Sequence, residues 1–355
     1  MSSATPEQQE LVEDLRATVR AALSRTEPGT GDAGTWALLV DQVGVDGLLV
    51  PEAHGGLGLG ARELVAVAEE IGGAAVRVPF LSHAVAAAAL LRAADLDAAL
   101  VDGLRTDTAT GSRRIAVVPS SRDAVVADDA SGTTRLTGTV TAALDAPGAD
   151  VLLVQATYDG RSAVCVVDGT APGLAVAERS VLDLSRSVGS VVFADTPATV
   201  LLSGEAARQA LADSLRWSRL ALAADQVGLA RRSLAVTVEY VGIRHQFGAA
   251  IGSFQAVKHR CTEVLLEVEL AAALVDQAAA ALDAGDDPQD LVSTAALQAG
   301  TAALAATDAV IQLHGGIGFT WEHVAHHFYR RARANVSLLG PVQDLRDAVA
   351  ASAGL

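Results

Sequence analysis

Val241-Gly-Ile-Arg-His-Gln-Phe-Gly-Ala-Ala-Ile-Gly-Ser-Phe-Gln-Ala-Val257 joins two long, alanine-rich runs with helical patterning. Before it, the residues from Glu205 to Tyr240 include no proline and one interior glycine, Gly228, so propensity allows a single helix of unusual length. After it, Val257, Cys261, Val264, Leu265, Val268, Ala272 and Val275 recur at spacings of three and four, the apolar stripe of a second helix. Gly248 and Gly252 are expected to take positive φ and break the helix, bunching Arg244, Phe247 and Gln255 at one rod end. A fixed cation, an aromatic face and an amide gathered there suit a diphosphate and a base or ring. Residue types alone leave a solvated cap or an ion pair open as the commoner use of such an arginine.

At 355 residues the chain exceeds one ordinary core, so two or three packed subdomains are expected. Half of the residues are apolar but only 3% are aromatic, so the cores should rest on close helix packing and the class should be mostly α. A net charge of −16 argues against nucleic acid and anionic membrane surfaces. A local basic run, Arg330-Arg331-Ala-Arg333, is a candidate for an anionic cofactor or partner, with a solvated face or ion-pair network as the alternative. The two cysteines, Cys165 and Cys261, read as small buried hydrophobes in a reducing compartment, with neither disulfide nor metal implied. The acidic first twenty residues lack a basic and apolar leader pattern, and no uncharged run is long enough to span a bilayer, so a cytoplasmic location is expected.

Taken in order, residues 1–110 read as an N-terminal helical domain, with runs at Pro6 to Ser24, Trp36 to Val43, Leu64 to Ile71 and Phe80 to Ala94. Within it, the glycines of Gly47-Leu-Leu-Val-Pro-Glu-Ala-His-Gly-Gly-Leu-Gly-Leu-Gly60 fit no dinucleotide fingerprint, so the segment is a loop and His54 a surface residue of it. Residues 111–202 change to short β-rich runs, at Ile115 to Val118, Ala124 to Ala127, Asp150 to Ala156, Ala163 to Val167, Leu174 to Ala177 and Ser190 to Phe193. They predict a small barrel or sandwich punctuated by turns at Asp145 to Gly148 and Tyr158 to Gly160. Residues 203–355 return to helix, with breaks near 244–253, at Gly285 to Pro288 and at Gly315 to Gly318, predicting four long rods and a shorter tail.

Arg244-x-x-Phe247-Gly followed by Phe254-Gln255 resembles the flavin-contacting signature of the acyl-CoA dehydrogenases, and Gly47 to Gly60 with the following Glu63 to Gly72 resembles the turn and helix of their first domain. Gln312-Leu-His-Gly-Gly-Ile-Gly-Phe319 is, by itself, a helix C-cap. Beside the arginine motif it resembles the phrase that contacts the adenine-diphosphate half of FAD in that family. The helix, β, helix order carries the resemblance over nearly the whole chain. It implies an N-terminal helical domain, a middle small β-barrel and a C-terminal four-helix bundle. It also implies FAD contacts, made across a subunit interface to a neighbour's flavin, by Arg244, Phe247, Gln255, Gln312, Gly315 and Gly316.

Other family features are missing. The Thr-Glu-Pro-Gly loop and Trp-x-Thr strand that cradle the flavin within one chain are replaced by Val118-Pro-Ser-Ser-Arg-Asp123 and by Ala142 to Leu144. Oxidising an acyl-CoA to its enoyl form needs a carboxylate to take the α-proton. The family's Glu position falls at Leu339, and its alternative beside an Arg falls at Ser218-Arg219, so no catalytic residue is assigned. Three readings follow. The first is a base-less subunit of a heteromeric acyl-CoA dehydrogenase, in an α2β2 tetramer with a homologous subunit carrying the Glu, acting on an acyl-CoA of a lipid or steroid side chain with electron-transfer flavoprotein as acceptor. The second is a self-sufficient flavoenzyme with an unusual base, Glu322 and Glu239 being the nearest carboxylates by sequence. The third is a structural relative that binds no flavin.

Overall fold

The computed structural model describes residues 5–31, 33–93, 99–120, 125–130, 133–286 and 288–355. The chain is mostly helical with a β insert. Helices α1 (Pro6–Leu23), α2 (Ala33–Val43), α3 (Ala61–Ala74), α4 (Ala88–Ala93) and α5 (Ala99–Thr110) precede eight strands, and α6 to α10 follow them. Thr5 caps α1 by accepting the Gln8 N–H, Pro6 begins the helix, and Leu15, Val19 and Leu23, four apart, are its buried stripe. The expected run from Phe80 begins as a π-helix, Phe80–Ala87, and becomes α4 only at Ala88. Ala94, where that run was expected to end, lies outside the described residues. Helix α5 was not expected: its threonines and Gly103 are poor helix formers, and it is held by Val101, Leu104 and Thr108 turning to one buried side.

The strands are β1 (Ile115–Val118), β2 (Val125–Ala130), β3 (Thr133–Leu144), β4 (Val151–Tyr158), β5 (Arg161–Asp168), β6 (Leu174–Glu178), β7 (Val188–Pro197) and β8 (Thr199–Ser203). They form one sheet in the order β6-β7-β3-β2-β4-β5-β8, with β1 parallel to β4. Val191 of β7 and Val167 of β5, well separated in that order, share one core, so the sheet wraps around itself as a small barrel. Strands β4 and β5 are covered on both faces. Leu152, Val154 and Cys165 turn into the barrel, whereas Val151, Leu153 and Val164 turn outward against α4, α5 and α6. That explains their near-continuous apolar spelling. The β4–β5 hairpin closes through Asp159 and Gly160, both at positive φ, the geometry that matches strand twist. Strands β3 and β8 were not expected, β3 because its polar Thr and Arg residues mask the alternation. Ala124 lies outside the described residues.

Helix α6 (Gly204–Ile243) is a single rod of 40 residues, followed by α7 (Gln255–Asp283) and α8 (Gln289–His314). The C-terminal part has three long rods and two short helices, α9 (Ala325–Asn335) and α10 (Val342–Ser352), in place of four rods and a tail. On α7, Val264, Val268, Ala272 and Val275 are buried as expected, but Leu265 is 46% exposed and Cys261 only half-buried. One hydrophobic core runs from α1 to α3 through α6, α7 and α8, so the first and last helical segments fold against each other.

Helices α3 and α6 cross in backbone contact at Gly228, where a Cβ would fall on the Glu69 carbonyl. Alanine normally gains about 0.5–1 kcal/mol over glycine within a helix, whereas overpacking costs about 1–3 kcal/mol. Gly228→Ala is therefore expected to lower stability in urea unfolding by about 0.5–2 kcal/mol, the difference of those terms. A variant as stable as the parent would show that the helices part freely.

His83, in the π-helix and 1% exposed, accepts the Ile115 N–H on Nδ1 at 3.1 Å and so ties the helical part to β1. Burial pushes its pKa down to about 4. A depressed histidine pKa means that the unfolded chain binds the extra proton. Stability contributed by neutral His83 is complete above the unfolded value and declines as pH falls from about 6.5 towards 4, by up to about 3 kcal/mol. Chemical denaturation of His83→Gln across that range should show a flatter profile than the parent.

Candidate functional site at the ends of α6 and α8

Helix α6 stops at Ile243 because Arg244 leaves the helical region, at φ −77° and ψ 121°. Two short antiparallel strands follow, β9 (His245–Gln246) and β10 (Ala249–Ala250), with Phe247 and Gly248 at their tip. Gly248 has positive φ as expected. Gly252 does not; the second left-handed residue is Phe247, at φ 53°. Gly252 is needed for a different reason: a Cβ there would stand 2.9 Å from the Val241 carbonyl, which packs the elbow against the rod it leaves.

A bulky residue in the left-handed region is strained by about 1–3 kcal/mol. Here that strain presents the Phe247 ring to solvent at 94% exposure, with Phe254 edge-on to it at 6.2 Å between centroids. Arg244 and Gln255, the first residue of α7, are exposed beside it. No carboxylate pairs with Arg244 among the described residues. The elbow thus places the three side chains together, as the spacing predicts.

The second motif is brought to the same end by contacts that sequence reasoning missed. The Tyr240 ring stacks on His314 at 4.2 Å and 22°, and its hydroxyl reaches the His314 carbonyl at 3.5 Å. Tyr240 lies one turn before Arg244 and His314 two residues after Gln312, so the stack fastens the last turn of α6 to the last turn of α8. A tyrosine in the last turn of one helix and a histidine ending the other were the available signal. His314 donates Nδ1–H to the Val310 carbonyl at 2.8 Å, and burial holds its pKa below the ordinary value, keeping the ring neutral for stacking.

Gln312 is exposed, and Gly315 and Gly316 begin a short 3-10 turn, Gly315–Phe319. Gly315 is left-handed, at φ 60°. Gly316 is neither left-handed nor crowded: a Cβ there would meet nothing within 4 Å. Nothing in the described part of this chain requires a glycine at 316, so its bareness suits something approaching from outside. Ile317, Phe319 and Trp321, which follow it in the chain, and Ile243 at the end of α6 are 48, 77, 69 and 71% exposed.

The basic run is not an anion site. Arg331 is 1% exposed and bonded to Asp225; Arg330 lies over the Trp321 ring; Arg333 pairs with Asp308 at 3.2 Å. His54 is partly buried, 3.6 Å from Asp102.

At the positions expected for a cradle and a base stand Ala142 to Leu144, the described residues of Val118 to Asp123, Leu339 and Ser218. Ala143 is buried in the barrel core, and the Leu144 carbonyl accepts from Ser82 Oγ at 3.2 Å. In Val118 to Asp123, residues 121–123 lie outside the described residues, and Ser120 N–H donates to Gln155. Leu339 packs against the large helical core. Ser218 is buried with its hydroxyl donated to the Ser214 carbonyl at 2.7 Å, which leaves no free base. Glu239 and Glu322 are both exposed. Among the buried acids, Glu69 and Asp225 are each held by arginines, Arg16 and Arg231 on one and Arg331 and Arg186 on the other. Arg244, Phe247, Gln255 and Gln312 present the exposed cation, ring and amides that an outer grip on a flavin would use.

Comparison with known proteins agrees with the geometry. The N-terminal domain of acyl-CoA dehydrogenase matches residues 5–96 and the C-terminal domain residues 208–354. Acyl-CoA dehydrogenase IpdE2 of Mycolicibacterium smegmatis is 31% identical over 92% of this chain and 89% of its own length; its namesake in Mycobacterium tuberculosis is 34% identical over 91% and 87%. Among solved structures, the ChsE4-ChsE5 complex from Mycobacterium tuberculosis superposes with a TM-score of 0.87 at 28% identity, covering 100% of this chain and 99% of that one. The Tcur3481-Tcur3483 steroid acyl-CoA dehydrogenase variant gives 0.85 at 28%, covering 98% and 99%. No described helix is long and apolar enough to cross a membrane. Two helical segments around a small barrel, an elbow spelled Arg-x-x-Phe-Gly and relatives matched along nearly their full length lead to one conclusion: the chain belongs to the acyl-CoA dehydrogenase family, whose members are FAD-dependent flavoproteins.

Proposed function

We propose that this chain is the subunit of a heteromeric acyl-CoA dehydrogenase that grips FAD held mainly by a homologous partner and contributes no base of its own. The observation that carries the reading is the exposed cluster of Arg244, Phe247, Gln255, Gln312, Gly315 and Gly316, with a Gly316 that its own chain does not need. The substrate class is an acyl-CoA thioester of a lipid or steroid side chain, the partner brings the catalytic Glu, and electron-transfer flavoprotein accepts the electrons. The assembly is an α2β2 tetramer in the cytoplasm. Domain boundaries fall at 110/111 and 202/203. Two of the similar solved structures are named as two-protein assemblies, one of them a steroid acyl-CoA dehydrogenase.

FAD, when bound, supplies hydride acceptance from the β-carbon, which α,β-dehydrogenation requires. The work of this chain is binding and exclusion. Arg244 offers a planar fork of N–H donors suited to a diphosphate. Gln255 and Gln312 offer amide hydrogen bonds, and Gly315 and Gly316 let an adenine-diphosphate half approach the backbone. Burial of the Phe247 ring against the ligand or partner returns about 1.5–3 kcal/mol, enough to offset its backbone strain.

Absorbance spectra of the purified chain, alone and with the partner co-expressed, test the reading. The expected result is a colourless single chain and a yellow complex that oxidises acyl-CoA with an artificial acceptor. A homomeric preparation that binds flavin stoichiometrically and turns over a thioester would overturn it.

A further inference from the structure

Four of the eight histidines of the chain, His314, His323, His326 and His327, stand between the last residue of α8 and the first turn of α9, and their rings touch. His314, already stacked on Tyr240, meets the His323 ring at 4.4 Å between centroids and 47°. His326 meets His327 at 3.9 Å and Trp321 at 4.8 Å, and its Nε2 donates to the Trp321 carbonyl at 3.1 Å. Ring contacts therefore pass from α6 to α8 and on to the segment in front of α9, across the base of the Gly315–Phe319 turn.

His323 is the ring whose hydrogen bond a proton would break. Its Nδ1 accepts the N–H of Ala325, the first residue of α9, at 3.2 Å. A nitrogen that accepts carries no proton, so the neutral ring holds its hydrogen on Nε2. Protonation would set a second N–H against that of Ala325, strand an N-terminal donor of α9 and place a positive charge at the positive end of the helix dipole. The ring is half-buried, so a proton reaches it without unfolding.

The surroundings oppose the charge as well. Burial, then His314 on α8 and His326 on α9, hold the His323 pKa below its ordinary 6.5, and no carboxylate is among the groups acting on it. Glu322, its neighbour in the chain, is exposed and bonded to Thr320; Asp308 on α8 pairs with Arg333; Asp183 acts on His327, against His326 and Arg330. A lowered histidine pKa means that the open arrangement binds the proton more tightly. The closed one is therefore fully favoured above about 6.5 and weakens as pH falls below it.

We propose that His323 is a proton-operated latch, which when neutral pins the start of α9 to the end of α8 and when protonated releases the Gly315–Phe319 turn with Trp321. The device belongs to this chain alone and works whether or not flavin or a partner is engaged. Its consequence rests on the proposed function: Gly315 and Gly316 lie in the released turn, so the grip loosens in mild acid.

Hydrogen–deuterium exchange of the purified full-length chain at pH 7.5 and 5.5, corrected for the intrinsic pH dependence of exchange, tests the latch without flavin or partner. Amides of residues 320–329 are expected to lose protection about tenfold at the lower pH, the ratio of protonated to neutral imidazole one unit below 6.5 in the open form. Helix α7 and the β4–β5 hairpin should not change. His323→Asn offers Oδ1 to the Ala325 N–H but takes no proton, so its protection should be the same at both pH values. His323→Ala, with no acceptor, should be poorly protected at both. A purely structural histidine would loosen in the alanine variant yet show no pH dependence in the parent. Equal protection of the parent at the two pH values, acid loss that persists in His323→Asn, or loss spread evenly over α7 and the barrel would each overturn the proposal. The parent measurement decides by itself if a variant does not fold.

Discussion

Arg244→Ala is expected to release flavin from the assembled complex while leaving the chain itself as stable as before. Its guanidinium is exposed and has no carboxylate partner among the described residues, so nothing internal is lost when it goes. A diphosphate deprived of a charge-assisted, two-pronged contact loses about 1.5–3 kcal/mol, which is roughly a 10- to 150-fold rise in the Kd for FAD. Fluorescence titration of apo-complex with FAD reads this directly. Arg244→Lys keeps the charge but not the fork and should fall between parent and alanine. Added salt should weaken the parent more than the alanine variant, because only the parent retains the fixed charge. Unchanged flavin affinity in Arg244→Ala, with normal assembly, would remove that residue from the site.

The elbow was legible in advance because its parts are adjacent in the chain. Arg244, Phe247 and Gln255 need only a helix that ends and another that begins, and propensity and spacing report both. What escaped was non-local or conformational. That Tyr240 clasps His314 depends on α6 and α8 packing side by side, which no single stretch records. That Phe247 takes the left-handed turn position expected of a glycine depends on the two short strands flanking it. That the position expected for the base holds Leu339 could be read directly, and a leucine accepts no proton wherever it points. The basic run misled because charge on a short helix says nothing about which side faces inward: Arg331 points into the core, while Arg330 and Arg333, one residue before and two after it, lie over aromatic rings.

The inward arginine leads to the largest expected effect on stability. Asp225, in the middle of α6, accepts from Arg331 Nε at 3.1 Å and Asn335 Nδ2 at 2.9 Å on α9, and from Arg186 Nη2 at 3.4 Å in the turn before β7. Arg331 also donates to Ser185 Oγ at 2.7 Å and to the Val76 carbonyl at 3.4 Å, just beyond α3. One carboxylate thus holds the N-terminal helices, the barrel and the C-terminal helices at a single buried point. Burial alone would raise its pKa, but Arg331 and Arg186 outweigh burial and hold it below the ordinary carboxylate value. The stability it contributes is therefore present above the unfolded-state pKa and lost only as pH falls through the lower folded one.

Asp225→Ala leaves two guanidiniums buried with Asp183, 3.6 Å from Arg186, and Asp145 as the remaining acids that act on them. Removing one partner of such a pair costs about 3–5 kcal/mol. Asp225→Leu combined with Arg331→Met should recover much of that loss, because it removes the stranded charge as well as its partner. Urea unfolding near neutral pH distinguishes the outcomes. If the single variant loses less than about 1 kcal/mol, the ionic knot is not what joins the three parts. If the double variant is as unstable as the single one, the cost lies in lost packing and not in an unpaired charge.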